Sequence, residues 1–246
     1  MYRFFSVIVL FFMMKTVAGQ TFLEKQKSYD RVKTAYREKL SNVESLLMAS
    51  KLDLNDLQLF IRIFKQEKML EVWGKKKNDS VWTVITNYPL CATSGKLGPK
   101  RLQGDNQMPE GFYYINRFNP VSNFYLSLSI NYPNASDIKF AYGQPAGGDI
   151  FIHGNCVTVG CFPLGDDAIK ELYIMAIEAT AQGQRRIYVE IFPFKMTEDN
   201  IKIATQLYPQ YTAFWKTLKP VYDYVEKNKK PPLIRINGNG NYEITQ

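Results

Sequence analysis

The stretch Ile150-Phe151-Ile152-His153-Gly154-Asn155-Cys156-Val157-Thr158-Val159-Gly160-Cys161 decides the reading of this chain. Ile150-Phe151-Ile152 reads as a short buried strand that ends at the one histidine of the sequence. Glycines follow at 154 and 160, and Cys161 stands eight residues beyond the histidine. Imidazole, with an ordinary pKa of about 6.5, is the usual base for a thiol near neutral pH. A thiol beside a protonated imidazole becomes a thiolate, and the thiolate is the nucleophile. A chain with a single histidine has one place for that chemistry, and the flanking glycines allow turns that a side chain would forbid.

Outward from this stretch, the hydrophobic period divides the chain. Tyr29, Val32, Tyr36, Leu40, Val43 and Leu47 recur at intervals of three and four, which predicts a helix over Thr21 to Ser50 with one apolar stripe. From Leu57 the period falls to two, and strands are expected at Leu57 to Phe64, Met69 to Trp73 and Val81 to Asn87. The lysine-rich turn from Lys75 to Ser80 reads as a solvated hairpin tip. Further strands are expected at Gly111 to Arg117 and Tyr125 to Ile130, after a long irregular stretch from Thr93 to Gly111 of the kind that is usually functional. Beyond Cys161, Asp166 or Asp167 can cap a helix that turns Ile169, Leu172, Tyr173, Ala176 and Ile177 inward. Ile187 to Phe192 is one more strand. The chain then reads as helical from Thr197, broken at Pro209 and Pro220, and ends in a loose tail from Pro231.

The start of the chain has the form of an export signal. Arg3 gives a positive beginning, Phe4 to Met14 is apolar apart from Ser6, and Val17-Ala18-Gly19 supplies small residues for cleavage before Gln20. An uncleaved membrane anchor is the other reading of the same run, so a membrane enters only if the signal is retained. The net charge is +8, and removing residues 1–19 with Arg3 and Lys15 leaves +6. That excess is spread along the chain, which suits anionic partners at a cell envelope and, with no nucleic-acid motif present, argues against nucleic acid. Three cysteines in an exported chain leave at least one free thiol, which excludes a disulfide scaffold.

The sequence resembles the L,D-transpeptidase catalytic domain, also called YkuD, in its YafK-like branch. The family pattern of His-Gly followed by Ser/Thr-x-Gly-Cys stands here as His153-Gly154 and Thr158-Val159-Gly160-Cys161. The blocks from Cys91 to Lys100, Gly104-Asp105, Pro109 to Tyr113, Tyr132 to Ala135 and Ile191 to Met196 also look like this branch, in the same order. Two positions depart from the common pattern. Val159 stands where many members carry a second histidine, and Phe162-Pro163-Leu164 stand where many carry Asn or Arg.

The resemblance implies an α+β fold: a β-rich YkuD-like catalytic core over residues 57–196, an N-terminal helical segment over 20–56, and C-terminal helices and tail over 197–246. It implies acyl transfer on peptidoglycan stem peptides by an enzyme exported to the periplasm or cell envelope, with no cofactor and no metal. An amine acceptor gives a crosslink or attaches an envelope protein to the wall. Water as acceptor gives a hydrolase that cuts stem-peptide links or releases a wall-bound protein. A non-catalytic wall-binding protein on the same scaffold is the reading from another class.

In these terms Cys161 is the nucleophile, at a Gly-Cys turn close to a helix start, and His153 is the general base and acid. Their bland readings are a buried small thiol and a hydrogen-bonded core histidine. The backbone N–H groups of Gly160 and Cys161 are the candidate oxyanion hole. Thr158 either orients His153 or is an ordinary turn hydroxyl. Gly154 would let substrate or the cysteine loop approach His153. Lys100, Arg101 and Arg117, with Lys96 beside them, are candidates for holding substrate carboxylates, against a default of surface solvation. Cys91 and Cys156 stay open between a disulfide and two buried thiols. A Cys3His zinc site matches the ligand count, but the spacing lacks a Cys-x-x-Cys pair.

Overall fold

The computed structural model describes residues 21–245, so the export signal expected at residues 1–19 lies outside the described residues. Residues 21–28 are helical, and after a break at Tyr29 helix α1 runs over Asp30–Ala49. Strands β1 (Leu57–Phe64), β2 (Met69–Lys76) and β3 (Thr83–Pro89) follow as an antiparallel meander. Then come β4 (Gly111–Asn119), β5 (Ser127–Ile130), helix α2 (Ala135–Phe140), β6 (Phe151–His153) and β7 (Phe162–Pro163). Helix α3 (Asp166–Ala181), β8 (Tyr188–Phe192), α4 (Glu198–Leu207), a 3-10 turn (Pro209–Tyr211) and α5 (Thr212–Asn228) complete the main body. The chain ends in a hairpin of β9 (Leu233–Ile236) and β10 (Tyr242–Thr245).

Eight strands form one mixed sheet in the order β3-β2-β1-β8-β4-β5-β6-β7. Strand β8 enters parallel to β1 and antiparallel to β4, so a late strand joins the first meander to the half that carries His153. Along β1 the period-two pattern divides the layers. Leu59, Ile61 and Ile63 join the core shared with α1 and α3, while Phe60, Arg62 and Phe64 face the side of α5. The expected α+β class and the helices at both ends are present.

Helix α3 buries more than the expected Ile169, Leu172, Tyr173, Ala176 and Ile177. It is buried on nearly all sides, because α1 covers the face that the sheet does not. Its buried polar groups therefore take partners. Tyr36 donates to Glu178 at 2.6 Å, Asn42 and Tyr88 donate to Glu171 at 2.7 Å, and Lys170 pairs with Glu38 at 2.9 Å. Neither acid caps α3: Gly165 is the N-cap, and Asp166 accepts instead from Asn155 N–H.

Two further expectations are corrected. Pro220 lies inside α5 and does not break it; the apolar face of Trp215, Leu218, Val221 and Val225 continues through it and is buried on the sheet, which outweighs one lost helical hydrogen bond. The loose tail is a hairpin, anchored by buried Tyr242, whose hydroxyl accepts from Asn134 Nδ2 at 2.9 Å. Helix α2 has no counterpart among the expected elements, although Asn134 and Asp137 form a complete capping box.

One buried ion pair ties the long irregular stretch to the sheet. Lys65, just past β1, donates to Glu110 at 2.8 Å and to the carbonyls of Gly98 and Met108 at 2.7 and 3.0 Å. Glu110, just before β4, also accepts from Gly98 N–H and from Trp215 Nε1, each at 2.8 Å. All three ammonium protons are used. Removing one partner of such a pair leaves an uncompensated buried charge, at a cost of about 3–5 kcal/mol. Glu110→Ala is therefore expected to lower the unfolding free energy by that amount in urea titrations, and a loss below about 1 kcal/mol would contradict this role.

Candidate active site

The parallel pair β6–β7 brings the histidine and the free cysteine to one surface. Ile152 pairs with Phe162 and His153 with Pro163, which sets Cys161 level with Phe151. Ile152 and Phe162 point into the core with α3. Side chains alternate along a strand, so His153 and Cys161 project from the opposite face as diagonal neighbours. Cys161 thus precedes a strand, and the start of α3 lies beyond β7; the expected helix-terminus effect on the thiol does not apply.

His153 is buried, with Phe124 against its ring at 4.6 Å between centroids. Its Nδ1 donates to the carbonyl of Gly154 at 2.5 Å. A carbonyl only accepts, so Nδ1 carries the proton of the neutral ring and Nε2 is the basic nitrogen. Among the described residues Nε2 has no hydrogen-bond partner. Burial lowers the pKa of His153, opposed by the bond to Gly154.

Cys161 is partly exposed and is the free thiol; its Sγ lies 3.6 Å from the carbonyl of Asp149. Burial raises its pKa and the Asp149 carboxylate raises it further, while the Phe151 backbone N–H and Lys100 lower it. Raised thiol and lowered imidazole both favour the neutral pair. Both shifts, caused chiefly by burial, run against the thiolate expected from the sequence.

The turn before Cys161 is held from outside. Gly160 has φ of 113°, and a Cβ there would stand 3.0 Å from the carbonyl of Gln107. Its N–H donates to Ser94 Oγ at 2.7 Å. The Gly160 N–H is therefore spent on fixing the turn and not free for an oxyanion, whereas the Cys161 N–H has no partner among the described residues. Thr158 Oγ1 donates to the carbonyl of Cys161 at 2.8 Å, so it orders the turn and not the imidazole. Ser94 carries no sequence signal beyond its place in the irregular stretch.

Cys91 and Cys156 form a disulfide with Cα atoms 5.5 Å apart. It pins the loop between His153 and Cys161 to the segment after β3. Both sulfurs being bonded, the Cys3His ligand set does not exist, and no other cluster of metal-binding side chains occurs among the described residues.

The remaining candidates separate. Lys100 is buried, with its ammonium on Asp105 at 2.7 Å and on the carbonyl of Leu102 at 2.8 Å. It lines a cleft of about 510 Å³ with Asn106, Gly147, Gly148, Asp149 and Val159, next to the cysteine turn. Arg117 reaches Asp149 at 3.4 Å from the cleft edge. Arg101 is elsewhere: it pairs with buried Asp137 at 3.2 Å and lies over the rings of Phe140 and Phe214, so it is a structural cation and not a substrate clamp. Gly154 is also structural. It is buried, and a Cβ there would meet Asp166 at 2.6 Å and the carbonyl of Phe124 at 2.9 Å. A separate cavity of about 290 Å³ between β4, β8 and the terminal hairpin shares no residue with the cysteine loop.

Residues 58–189 match the model of the YkuD family, the L,D-transpeptidase catalytic domain. Over 190 residues the chain is 37% identical to the "Putative L,D-transpeptidase YafK" of Escherichia coli K12, covering 76% of this chain and 74% of that relative. Among solved structures, the helical cell shape determining protein Pgp2 from Campylobacter jejuni aligns at 17% identity, with a TM-score of 0.44 over 79% of this chain and 80% of that one. Bd1075 from Bdellovibrio bacteriovorus aligns at 22% identity, with a TM-score of 0.39 over 69% and 60%.

The shifts at the two groups give a signed expectation for pH. Above the lowered pKa of His153 and below the raised pKa of Cys161, reaction of the thiol depends on proton transfer to the imidazole. Iodoacetamide alkylation of Cys161 should show a neutral plateau from that transfer. An alkaline limb should follow, with its midpoint above the ordinary thiol value of about 8.5. His153→Ala should remove the plateau and leave the alkaline limb. Mass spectrometry of the labelled protein across pH reads both.

Proposed function

The chain belongs to the L,D-transpeptidase catalytic-domain family, and we propose that it is a cysteine acyltransferase acting on peptidoglycan stem peptides. The observation that carries this reading is the pairing of β6 with β7. It turns Cys161 and His153 to one face beside an open cleft, with Nδ1 of the imidazole spent on the Gly154 carbonyl and Nε2 left basic.

In this reading Nε2 takes the Cys161 proton as Sγ attacks an amide carbonyl carbon of the stem peptide. The Cys161 N–H is placed to meet the developing oxyanion. His153 returns the proton to the departing amine, and an acyl-enzyme thioester remains. An incoming amine, from a second stem peptide or a wall-attached protein, resolves it as a crosslink. Water resolves it as a hydrolytic product. Lys100 and Arg117 border the cleft that would take the substrate, with Lys100 acting through its ion pair with Asp105. The export signal in residues 1–19 would deliver the enzyme to the periplasm or cell envelope.

Incubation with purified muropeptides, followed by mass analysis, separates the outcomes. A crosslinked product with release of the terminal amine supports the transferase. A product shortened with uptake of water identifies the hydrolase of the same fold. No turnover and no acyl adduct on Cys161 would leave a wall-binding protein and overturn the proposal. Cys161→Ala is expected to lower turnover by at least about 100-fold, as loss of a nucleophile does. Cys91→Ala should retain at least about a tenth of the rate, since only the loop staple is lost.

A further inference from the structure

Strand β5 reads Ser127-Leu128-Ser129-Ile130, with Leu128 and Ile130 in the core and the two serines on the face that carries the site. Ile130 N–H donates to the carbonyl of Ile150, and Gly154 N–H to the carbonyl of Leu126. These bonds mark the hydrogen-bonded positions of the antiparallel β5–β6 pair. By alternation, Ser127 and His153, which are direct partners, form a non-hydrogen-bonded pair. Side chains of such a pair share a face and approach more closely than at the alternate positions.

Ser127 is buried, and its Oγ has no hydrogen-bond partner. Most buried hydroxyls have one, so an orphan opposite a buried imidazole needs a reason. On His153, Nδ1 is held by the Gly154 carbonyl and one ring face by Phe124, and Nε2 is open. Once Cys161 gives up its proton, the ring bears N–H groups at both nitrogens and a positive charge in a buried place. An unpaired N–H there would carry a desolvation penalty.

We propose that Ser127 is a positioning residue for His153: its hydroxyl, turned about its one χ1 torsion, accepts the Nε2–H of the imidazolium formed when Cys161 is deprotonated. The Sγ–H bond breaks, the Nε2–H bond forms, and Ser127 keeps its own proton while its lone pair holds the charged ring. The proton then passes to the leaving amine. This rests on the assignment of Cys161 and His153 as the reacting pair. Serine fits the place because it is small enough to leave room for an imidazole packed at a tilt against Phe124. Asp149 and Lys100 act on Cys161, and Asp166 lies beside Gly154. None of these is altered by a change at Ser127.

The test is iodoacetamide alkylation of Cys161 across pH in the full chain. Ser127→Ala is expected to lower the neutral plateau about tenfold, the worth of a hydrogen bond to a charged group, and to leave the alkaline limb in place. A residue that merely supports the fold would move both or neither. Ser127→Thr and Ser127→Val have one shape and differ by a hydroxyl, so Thr should keep the plateau and Val should lose it. This comparison decides the matter if the alanine variant folds poorly. An unchanged plateau in Ser127→Ala, or equal plateaus in the Thr and Val variants, would overturn the role of Ser127. A plateau that survives His153→Ala would instead overturn the assignment of the base itself.

Discussion

The site depends on a buried ion pair that takes no part in chemistry. Lys65 and Glu110 lie on either side of β8, and between them they hold both ends of the segment from Gly98 to Met108. Burial lowers the pKa of Lys65, and the Glu110 carboxylate beside it opposes that shift. Every polar atom of the pair that needs a partner finds one, including the Trp215 indole from α5. Within that segment Asp105 gathers the backbone N–H groups of Arg101, Leu102 and Gln107 and the Lys100 ammonium. Ser94 and Gln107, at its two sides, then meet Gly160. The position of Cys161 is thus tied, through this loop, to a charge pair whose members Lys65 and Glu110 stand 96 and 51 residues before it in the chain.

The placing of Cys161 and His153 follows a division of labour between backbone and side chain. A two-residue strand, β7, aligns Cys161 with Phe151, and the Phe151 N–H lowers the pKa of the thiol against the effect of burial. The imidazole is oriented by its neighbour's carbonyl, which fixes the tautomer without a carboxylate. The disulfide limits the travel of the loop between the two groups. Burial pushes the Cys161 thiol up and the His153 imidazole down, directions that favour a neutral pair.

Away from the site, Arg62 and Glu190 form a second buried pair across β1 and β8, with Glu226 of α5 on the same guanidinium. Burial pushes Glu190 up to about 7, opposed by Arg62. The rings of Phe64, Phe192 and Tyr222 surround the guanidinium, a weakly hydrated cation suited to such a place. These contacts dock α5 on the sheet and explain why a strand with Arg at its centre is nonetheless a core strand.

Residue chemistry and period were enough to mark His153 and Cys161, the helices α1 and α3, and the strands β1 to β4, because one histidine and strong periodicities leave few alternatives. Helix α2 also has a local signal in the sequence, the Asn134–Asp137 capping box. Other features depend on residues far apart in the chain. The disulfide needs Cys91 and Cys156 brought together across 65 residues. Arg101 looks like a surface clamp until Asp137, Phe140 and Phe214 close around it. The Gly160 N–H looks like an oxyanion donor until Ser94 takes it. Ser127 comes to lie opposite His153 through β5–β6 register alone. Sequence by itself determined which residues could do chemistry, since that follows from their functional groups. Tertiary structure decided which of them are free to do it, since a donor, a cation or a thiol is available only when nothing else in the fold has claimed it.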